Sequence, residues 1–488
     1  MVFYNITDRD GNPNVFKLER NEDGLWLNDN WTNPDNRWNP DNGFVFVSRK
    51  SLHSKRIILC AWFFISKTGD ILISMQFIAD LHIHSKYSRA VSKKMVPEEL
   101  DRWADDKGVL VMGTGDFTHP GWFKELKQKL EPAEKGLFRL KKEYKLPTIK
   151  GTFADTRFML SVEISGIYSK NGKCRRVHNI VFVPDFETAE KINIQLGLIG
   201  NLASDGRPIL GLDSEKLAKI VFDANPEAVI VPAHVWTPWF SVFGSMSGFD
   251  SLEECFGVYA KNIFAIETGL SSDPPMNWRI KALDNIALIS NSDSHSLSRI
   301  GREANVFNTE LSYKGIMDAI KSRDKKKFLY TIEFFPEEGK YHYDGHRDCK
   351  VSFSPVETKK HKNLCPKCGK TFVIGVMNRV DQLADKKRPE GYKDAKRVPF
   401  KNLITLDSII GETLDVGKAT KSVMKEYEKL IKTFKSEFSI LTDIPVKEIA
   451  LASKPEIAEG VKRMREGKLT IKPGYDGEFG VVKIFSGK

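Results

Sequence analysis

The chain has 488 residues, of which 41% are hydrophobic and 28% are charged, and this composition is typical of a soluble globular protein. The length excludes a single ordinary hydrophobic core, so we expect two to four structural units. Lys and Arg number 75 against 64 Asp and Glu, and this excess of 11 positive charges favours a polyanionic partner such as nucleic acid.

The N-terminal region predicts neither a membrane span nor a secretion signal. The longest apolar run, Ile57–Ile65, is far shorter than the roughly 20 residues that cross a bilayer, and it lies too far inside to be a signal peptide.

Residues 1–74 are rich in Asn, Asp, Pro and Trp and predict a loop-rich extension. Because Met75 directly precedes the next strand, we hypothesise that translation begins there and that the extension is not native. We expect a cytoplasmic protein without a membrane partner.

Residues 75–338 predict repeated βα units. Short apolar runs such as "GVLVMGTGD", "FMLSVEISG", "NIVFVPD", "AVIVPAHV", "IFAIETG" and "NIALISNSD" alternate with amphipathic stretches at 185–199, 213–224 and 313–322, and a helix is expected from Pro97. This alternation is typical of a parallel sheet closed into a barrel.

Two further regions are predicted after the barrel. A Cys- and His-containing segment covers residues 339–378, and a basic helical region covers 379–488. Within the latter, helices are expected at about 417–436 and 446–465, and Asp476-Gly477 predicts a terminal β-hairpin.

Polar side chains with metal-binding chemistry follow the predicted barrel strands. Parallel strands place such residues together at their carboxyl ends, and five of the ten histidines of the chain belong to the set. The predicted ligands are His82, His84, Asp116, Glu163, His178, His234, Asp293 and His295. They exceed the roughly four ligands of one zinc ion, so two or three divalent ions (Zn, Mg or Mn) are expected, with Glu163 and Asp293 as bridging ligands.

Clustered divalent ions are suited to the hydrolysis of phosphate esters, because they activate a water and hold the phosphoryl oxygens. We assign the catalytic roles to Asp293, Glu163 and His234. For any single histidine of the set, a structural role in the core is the alternative, especially for His178 and for the nearby His119.

The motifs "DLHIHS", "VEIS", "HNIVF", "PAH" and "SDSH", in this order and with the strand end at Asp116, resemble the polymerase-and-histidinol-phosphatase (PHP) superfamily. The resemblance implies a distorted seven-stranded barrel with a trinuclear metal centre. It departs at Asp116-Phe117, where the superfamily has an Asp-His pair, and this leaves the role of His119 open.

A narrower resemblance, to the endonuclease Q family, is carried by "HVWTPWFSVFGSMSGFDSLEECF", "SDSHSLSRIGREANVF" and "YHYDGHRDC". It covers the chain from about residue 75 to the C-terminus. It implies a DNA repair endonuclease that nicks single- or double-stranded DNA 5′ to deaminated bases (uracil, hypoxanthine, xanthine) and abasic sites, leaving a 3′ hydroxyl and a 5′ phosphate. Two alternatives stay open: a phosphatase for small phosphomonoesters, and a non-catalytic nucleic-acid-binding protein.

The segment 339–378 predicts a structural zinc ribbon. His346 and Cys349 precede Cys365 and Cys368, and two short knuckles of this kind can close a tetrahedral zinc site. His361 and His342 are rival fourth ligands, and ordinary surface thiols are the alternative to a metal site. Nearby lysines could hold a DNA backbone, although lysine clusters are usually just solvated.

The loop after His234 carries the expected substrate contacts. Trp236, Trp239 and Phe240 are candidates for stacking on an extruded base or strand, with packing of the loop against the barrel as the alternative. Arg89, Lys93 and Arg302 are candidate phosphate contacts. DNA is the expected partner, and a replication clamp is retained as a second one.

Overall fold

The computed structural model describes residues 75–485 with their side chains and, before them, only the backbone of strand residues such as 71–74. The extension over residues 1–74 and the hypothesis of a start at Met75 concern residues outside this range. Phe77–Phe307 and Ser312–Lys488 group into one compact unit, and the following description concerns that unit.

In chain order the barrel region contains β1 (Ile71–Asp80), α1 (Pro97–Lys107), β2 (Val111–Gly113), α2 (Pro120–Lys129), β3 (Leu130–Pro132), β4 (Phe138–Leu140), β5 (Arg157–Lys170), β6 (Lys173–Val183), α3 (Phe186–Gly197), β7 (Ile209–Leu210), α4 (Ser214–Ala224), β8 (Val229–Pro232), α5 (Leu252–Phe256), β9 (Ala265–Glu267), α6 (Pro274–Trp278), β10 (Ala287–Ile289), β11 (Ala304–Glu310), α7 (Tyr313–Ser322) and β12 (Phe328–Glu333).

The remaining elements are β13 (Asp344–His346), β14 (Val351–Phe353), α8 (Pro355–Lys360), α9 (Val376–Leu383), β15 (Phe400–Asn402), α10 (Leu406–Leu414), α11 (Lys421–Phe434), α12 (Glu437–Thr442), α13 (Val446–Ala452), α14 (Pro455–Arg465), β16 (Thr470–Lys472) and β17 (Val481–Lys483). The predicted fold class, an α/β barrel followed by a small ribbon and a helical region, is confirmed. The boundaries at 338/339 and 378/379 stay predictions.

Helices α2 to α7 of the barrel begin at a side-chain cap, whereas α1 begins at Pro97 without one. Asp185 accepts a hydrogen bond from the backbone N–H of Thr188 at the start of α3, and Asp213 does the same for Lys216 at the start of α4. These caps satisfy amide donors that have no partner within the helix. The predicted stretches 185–199, 213–224 and 313–322 therefore agree closely with α3, α4 and α7.

The strands form a ring. The main sheet has the order β8-β6-β5-β2-β1-β11-β12-β15, and β9 pairs with β10 in parallel. After β8, the N–H of Val235 donates to Glu267 O at the end of β9 (3.2 Å), and the N–H of His84 donates to Ser294 O beyond β10 (3.0 Å). Seven strands, β1, β2, β5, β6, β8, β9 and β10, therefore enclose one interior.

The ring is mixed, whereas the sequence pattern predicted parallel strands throughout. β5 and β6 form an antiparallel hairpin that pairs Lys170 with Lys173, and β6 is antiparallel to β8 as well. Asn171 and Gly172 connect the two strands with φ of 54° and 71°. Positive φ at both central residues of a two-residue loop is the geometry of a type I′ turn, which Asn-Gly favours. Residues predicted at the carboxyl ends of β5 and β6 are consequently within the strands.

The C-terminal region shares one hydrophobic core with the barrel, since buried residues such as Leu160 and Val181 belong to the same cluster as Tyr427 and Ile457.

The predicted helix at 446–465 is divided into α13 and α14. The predicted hairpin is present, with β16 antiparallel to β17. None of the helices between residues 75 and 485 combines the length and the apolar character that a bilayer crossing requires.

A buried ion pair joins α1 to α12. Lys107 Nζ lies 2.6 Å from Glu437 Oε2, and both side chains are less than 5% exposed. Tyr427 donates its hydroxyl to the same carboxylate (2.8 Å), and the backbone N–H of Leu406 donates to Oε1 (2.9 Å). Loss of one partner leaves a desolvated charge without compensation.

Replacing Lys107 with methionine is expected to lower the free energy of unfolding by about 3–5 kcal/mol, because Glu437 then stays buried without its counter-charge. Chemical denaturation measures the change. Lys127→Met is the control, since its pair with Glu190 is about half exposed and worth about 1 kcal/mol at most. Equal effects of the two substitutions would contradict the expectation.

Candidate metal centre and substrate surface

Two groups of potential metal ligands lie inside the ring. The first contains His82, His84, Glu163 and Asp293, and the second contains Glu163, His178 and His234. Within each group the ligand atoms lie within 4.8 Å of one another. Glu163 belongs to both groups and therefore stands between them.

The carboxylate of Glu163 divides its two oxygens between the groups. Oε1 lies 2.8 Å from His178 Nδ1 and 2.9 Å from His234 Nε2. Oε2 lies 3.3 Å from His84 Nε2. A carboxylate with one oxygen directed to each group has the arrangement of a bridging ligand.

The extended chain that follows β1 presents two imidazoles on one side. His82 and His84 flank Ile83, which is 1% exposed and pairs with Ser294 across the ring. Alternation along extended backbone directs the isoleucine into the core and both histidines into the interior of the ring. Asp293 reaches the same place from the segment after β10, with φ of 47°.

The donor set fits divalent ions. Within the described part of the chain, His82 Nε2, His84 Nε2 and Asp293 Oδ1 are buried without a hydrogen-bond partner, although His84 Nε2 lies only 3.1 Å from Asp293 Oδ1. Buried polar atoms are normally hydrogen-bonded, so their convergence without partners is the signature of ligands. Burial alone would raise the pKa of Asp293, but its contact with His84 holds that pKa well below the usual range. The group is therefore an anionic carboxylate near neutral pH.

Burial lowers the pKa of His178 to about 4 against the opposing effect of Glu163, so the imidazole is neutral near pH 7. Neutral imidazole is the form that binds metal ions. The remaining ring nitrogen, Nε2, lies 3.1 Å from Ser165 Oγ, and this contact orients the ring. His178 thus points Nδ1 toward Glu163.

A second set of carboxylates contacts the ring nitrogens of His82 and His84 that face away from the ligand groups. Glu267, fully buried, accepts hydrogen bonds from His82 Nδ1 (3.0 Å) and from the backbone N–H of His234 (2.9 Å). Asp116 accepts from His84 Nδ1 (3.1 Å). Carboxylates that receive the distal N–H of a ligating histidine fix its tautomer and its direction.

Asp116 is a predicted ligand that the structure does not bring into either group. Its Oδ2 accepts hydrogen bonds from the backbone N–H and hydroxyl of Ser85 and from the hydroxyl of Ser88, at 2.7–2.8 Å. The other oxygen accepts from His84 Nδ1, so both carboxylate oxygens are engaged by neighbouring side chains. These contacts orient the carboxylate toward His84, and the assignment of Asp116 as a metal ligand stays a prediction.

Two other histidines lie outside the groups. His295 is about one-third exposed, and its Nδ1 donates to the backbone carbonyl of Asp293 (2.9 Å). His119, whose role the sequence leaves open, caps α2 by accepting from the N–H of Trp122, and its ring stacks on Tyr87. The assignment of His295 as a ligand stays a prediction.

Substituting Glu267 with glutamine is expected to weaken metal binding about 10- to 100-fold, because the amide cannot orient His82 and His234 as the carboxylate does. Titration calorimetry with Mn²⁺ measures the affinity. Glu303→Gln is the control: burial raises the pKa of Glu303 well above its usual range, and its Oε1 accepts from the N–H of Phe334. An unchanged affinity in the Glu267 variant would contradict the orienting role.

The aromatic candidates have different positions. Trp236 is 1% exposed, its Nε1 donates to Asn277 Oδ1 (2.7 Å), and it packs on Phe243, so in this conformation it cannot stack on a base. This corrects the prediction and agrees with the alternative of loop packing. Trp239 is 41% exposed, and the ring of Phe240 lies 4.7 Å from that of His178. These two remain available for substrate.

The basic candidates also differ. The side chain of Arg89 is 78% exposed and lies near Asp205, and the exposed Lys93 donates to the backbone carbonyl of Lys86. Arg302 is half-buried and donates through Nε to Ser292 O (2.8 Å), next to Asp293. Arg302 therefore holds the loop of Asp293, whereas Arg89 and Lys93 face solvent.

Two residues of the centre are missing from the sequence prediction. Glu267 ends the apolar run "IFAIETG", and a polar residue at a strand end is a signal that could have identified it. Arg207 lies in the loop between α3 and β7, and its Nη1 is 3.0 Å from Glu163 Oε2. No local pattern marks Arg207, because only the folded chain brings it to Glu163.

The predicted ribbon ligands converge. His346, Cys349, Cys365 and Cys368 form a group whose ligand atoms lie within 4.8 Å of one another. Cys368 Sγ lies 3.9 Å from His346 Nδ1, whereas the rivals His361 and His342 lie outside the group. Three sulfurs and one imidazole match a closed zinc site. Among the nearby lysines, Lys367 donates to Cys349 O (2.9 Å).

Comparisons with known proteins agree along the chain. A family model described as the MJ0043 C-terminal domain matches residues 405–468, which contain α10 to α14. The uncharacterized protein MJ0043 of Methanocaldococcus jannaschii is 34% identical over 257 residues, which cover 51% of this chain and 31% of that protein. The chain thus spans less than one-third of the length of this relative.

Two solved structures are similar over most of the chain. The lesion-specific endonuclease PfuEndoQ of Pyrococcus furiosus is 32% identical, with a TM-score of 0.73, and the match covers 84% of this chain and 95% of that one. An endonuclease Q in complex with a 27-mer duplex substrate, which has an abasic lesion at the active site, is 32% identical, with a TM-score of 0.71 and coverage of 84% and 97%.

Proposed function

The chain belongs to the endonuclease Q family, and from this premise we propose that it is a metal-dependent DNA repair endonuclease that nicks DNA on the 5′ side of deaminated bases (uracil, hypoxanthine, xanthine) and abasic sites. The observation that carries the proposal is Glu163, shared by two groups of ligands inside one ring. A pair of neighbouring ion sites joined by a carboxylate suits in-line displacement at phosphorus.

The proposed centre would hold divalent ions (Zn, Mg or Mn) through His82, His84, Glu163, His178, His234 and Asp293. Once bound, such ions lower the pKa of a water and neutralise charge on the phosphoryl oxygens. The residues of the chain position the reactants. Glu163, which belongs to both groups, fixes them relative to each other, Asp293 completes the first group, and Glu267 and Asp116 orient the histidines.

The proposed reaction is the hydrolysis of one phosphodiester bond of the DNA strand. The water oxygen forms a bond to phosphorus, the bond from phosphorus to the 3′ oxygen breaks, and that oxygen takes up a proton. The products are a 3′ hydroxyl and a 5′ phosphate at the nick. Asp293, Glu163 and His234 border the proposed reacting atoms and are the proposed catalytic residues.

The proposed substrate surface combines Trp239 and Phe240 with Arg89 and Lys93. The aromatic pair could stack on a base near the centre, and the exposed cations could neutralise backbone phosphates. The excess of 11 positive charges on the chain supports a polyanionic substrate. The replication clamp stays a prediction.

The test uses the full chain with labelled duplex and single-stranded DNA that carries one uracil, hypoxanthine, xanthine or abasic site, in Mg²⁺ or Mn²⁺. The expected product is a single nick 5′ to the lesion, with a 3′ hydroxyl and a 5′ phosphate at its ends. Undamaged DNA and a small phosphomonoester are the controls. Intact lesion strands across a range of metals, or turnover of the phosphomonoester alone, would refute the proposal.

A further inference from the structure

Arg207 is held at the junction of the two ligand groups. Its Nη1 lies 3.0 Å from Glu163 Oε2, the oxygen that also faces His84. The side chain is 25% exposed, so the guanidinium is partly desolvated and partly accessible to solvent. A phosphoryl group held by both ligand groups would come within reach of this arginine.

The loop that carries Arg207 is anchored at the residues that precede the arginine. The backbone N–H of Arg207 donates to Asp205 Oδ1 (3.1 Å), and that of Gly206 donates to Tyr87 O (3.2 Å). A Cβ on Gly206 would collide with Asp116 Oδ2, so the position requires glycine because the loop passes directly over this carboxylate. The backbone of the loop is therefore closely packed against the centre.

The chain is fixed on the other side as well. Pro208 O accepts from the N–H of Ser165 (3.0 Å), and Ile209 pairs with Ser165 at the start of β7. Ser165 lies two residues after Glu163 on β5, so the two share one face of the strand. Anchors before and after Arg207 leave its side chain little choice of direction.

The guanidinium of Arg207 uses few of its hydrogen-bond donors. Among the described residues, it donates one hydrogen bond, from Nη1 to Glu163 Oε2. Arginine has five N–H donors in a planar fork, which can bind two oxygens of one phosphate. One edge is thus anchored to the shared carboxylate, and the other edge has donors left for a ligand.

From this geometry we infer that Arg207 is a further catalytic residue, which donates hydrogen bonds to a non-bridging oxygen of the scissile phosphate as its negative charge grows during hydrolysis. The inference rests on the proposed nuclease function and deepens it. A donor that is fixed before the reaction stabilises the transition state without reorganisation. The same residue neutralises part of the charge of Glu163.

The test compares Arg207→Gln and Arg207→Lys with the unsubstituted chain in single-turnover nicking of abasic duplex DNA at saturating Mn²⁺. The expected loss for glutamine is about 10²- to 10³-fold in rate, as for other preorganised donors. Lysine, which retains charge but not the fork, is expected to recover part of the loss. DNA affinity and Mn²⁺ affinity are expected to change by about threefold at most.

Arg139→Gln is the matched control, because Arg139 also pairs with a glutamate, Glu131 (2.8 Å), on the β3–β4 hairpin. Its nicking rate is expected to equal that of the unsubstituted chain. A rate for Arg207→Gln within about threefold of the parent would overturn the inference. A parallel loss of Mn²⁺ affinity would also overturn it, since the residue would then act only through Glu163. An inactive parent chain would instead refute the proposed function, and the inference with it.

Discussion

Replacement of Glu163 by glutamine is expected to lower the single-turnover nicking rate by about 10³-fold or more, equal to about 4 kcal/mol in the activation barrier. The carboxylate directs one oxygen to His178 and His234 and the other to His84. An uncharged amide cannot join two ions in this way. Single-turnover kinetics on abasic DNA, together with metal analysis of the purified variant, measure the loss.

The matched control for this variant is Glu333→Gln. Burial raises the pKa of Glu333 to about 8, so its carboxyl is mostly protonated near pH 7 and glutamine is close to it in charge and shape. The same substitution at the end of β12, outside the seven-stranded ring, is therefore expected to leave nicking nearly unchanged. A Glu163 variant that nicks as fast as the Glu333 variant would contradict the assignment of the centre.

Much of the centre follows from one regularity of the sequence. His82 and His84 come directly after β1, His234 follows β8, and Asp293 follows β10. Each position is the carboxyl end of a buried strand, where βα barrels collect polar groups. The apolar run before each residue identifies the strand, so the pattern of hydrophobicity was enough to group these four.

Glu163 and His178 were grouped with them for a reason that the structure does not support. Both lie within the β5–β6 hairpin and reach the centre because their side chains face the interior of the ring, not because a strand ends there. The local signal of this hairpin is Asn171-Gly172, a pair typical of two-residue turns. Interpreted as a turn, it predicts an antiparallel pair at this place and explains the mixed ring.

Contacts that depend on the packing of the folded chain could not be predicted from the sequence. Whether Asp116 binds an ion or orients His84 depends on the hydroxyls of Ser85 and Ser88, which occupy its second oxygen. Trp236 is buried in the core, and Asn277, 41 residues further along the chain, accepts its indole N–H. Spacing can identify a residue type suited to a role, but it cannot show which neighbours already satisfy that residue.

The second large effect is expected at the ribbon. Changing Cys365 to serine should remove one equivalent of tightly bound zinc and unfold the segment between β13 and α9, because structural zinc supplies about 10–16 kcal/mol in small zinc domains. Cys365 is 1% exposed, and its sulfur lies within the group of Cys349, Cys368 and His346. Zinc analysis and limited proteolysis measure the change.

The terminal hairpin is expected to loosen together with the ribbon. The N–H of Arg347, between the ligands His346 and Cys349, donates to Asp476 Oδ2 (2.6 Å), and Gly345 packs directly against Tyr475. The turn that joins β16 to β17 therefore rests on the backbone next to the zinc ligands. Proteolysis near Asp476 should therefore accelerate in the Cys365 variant, while Mn²⁺ binding in the barrel persists. Cys174→Ser, at an exposed position on β6, is the control and should change none of these measurements. A Cys365 variant with its full zinc content would show that this cysteine is not a ligand.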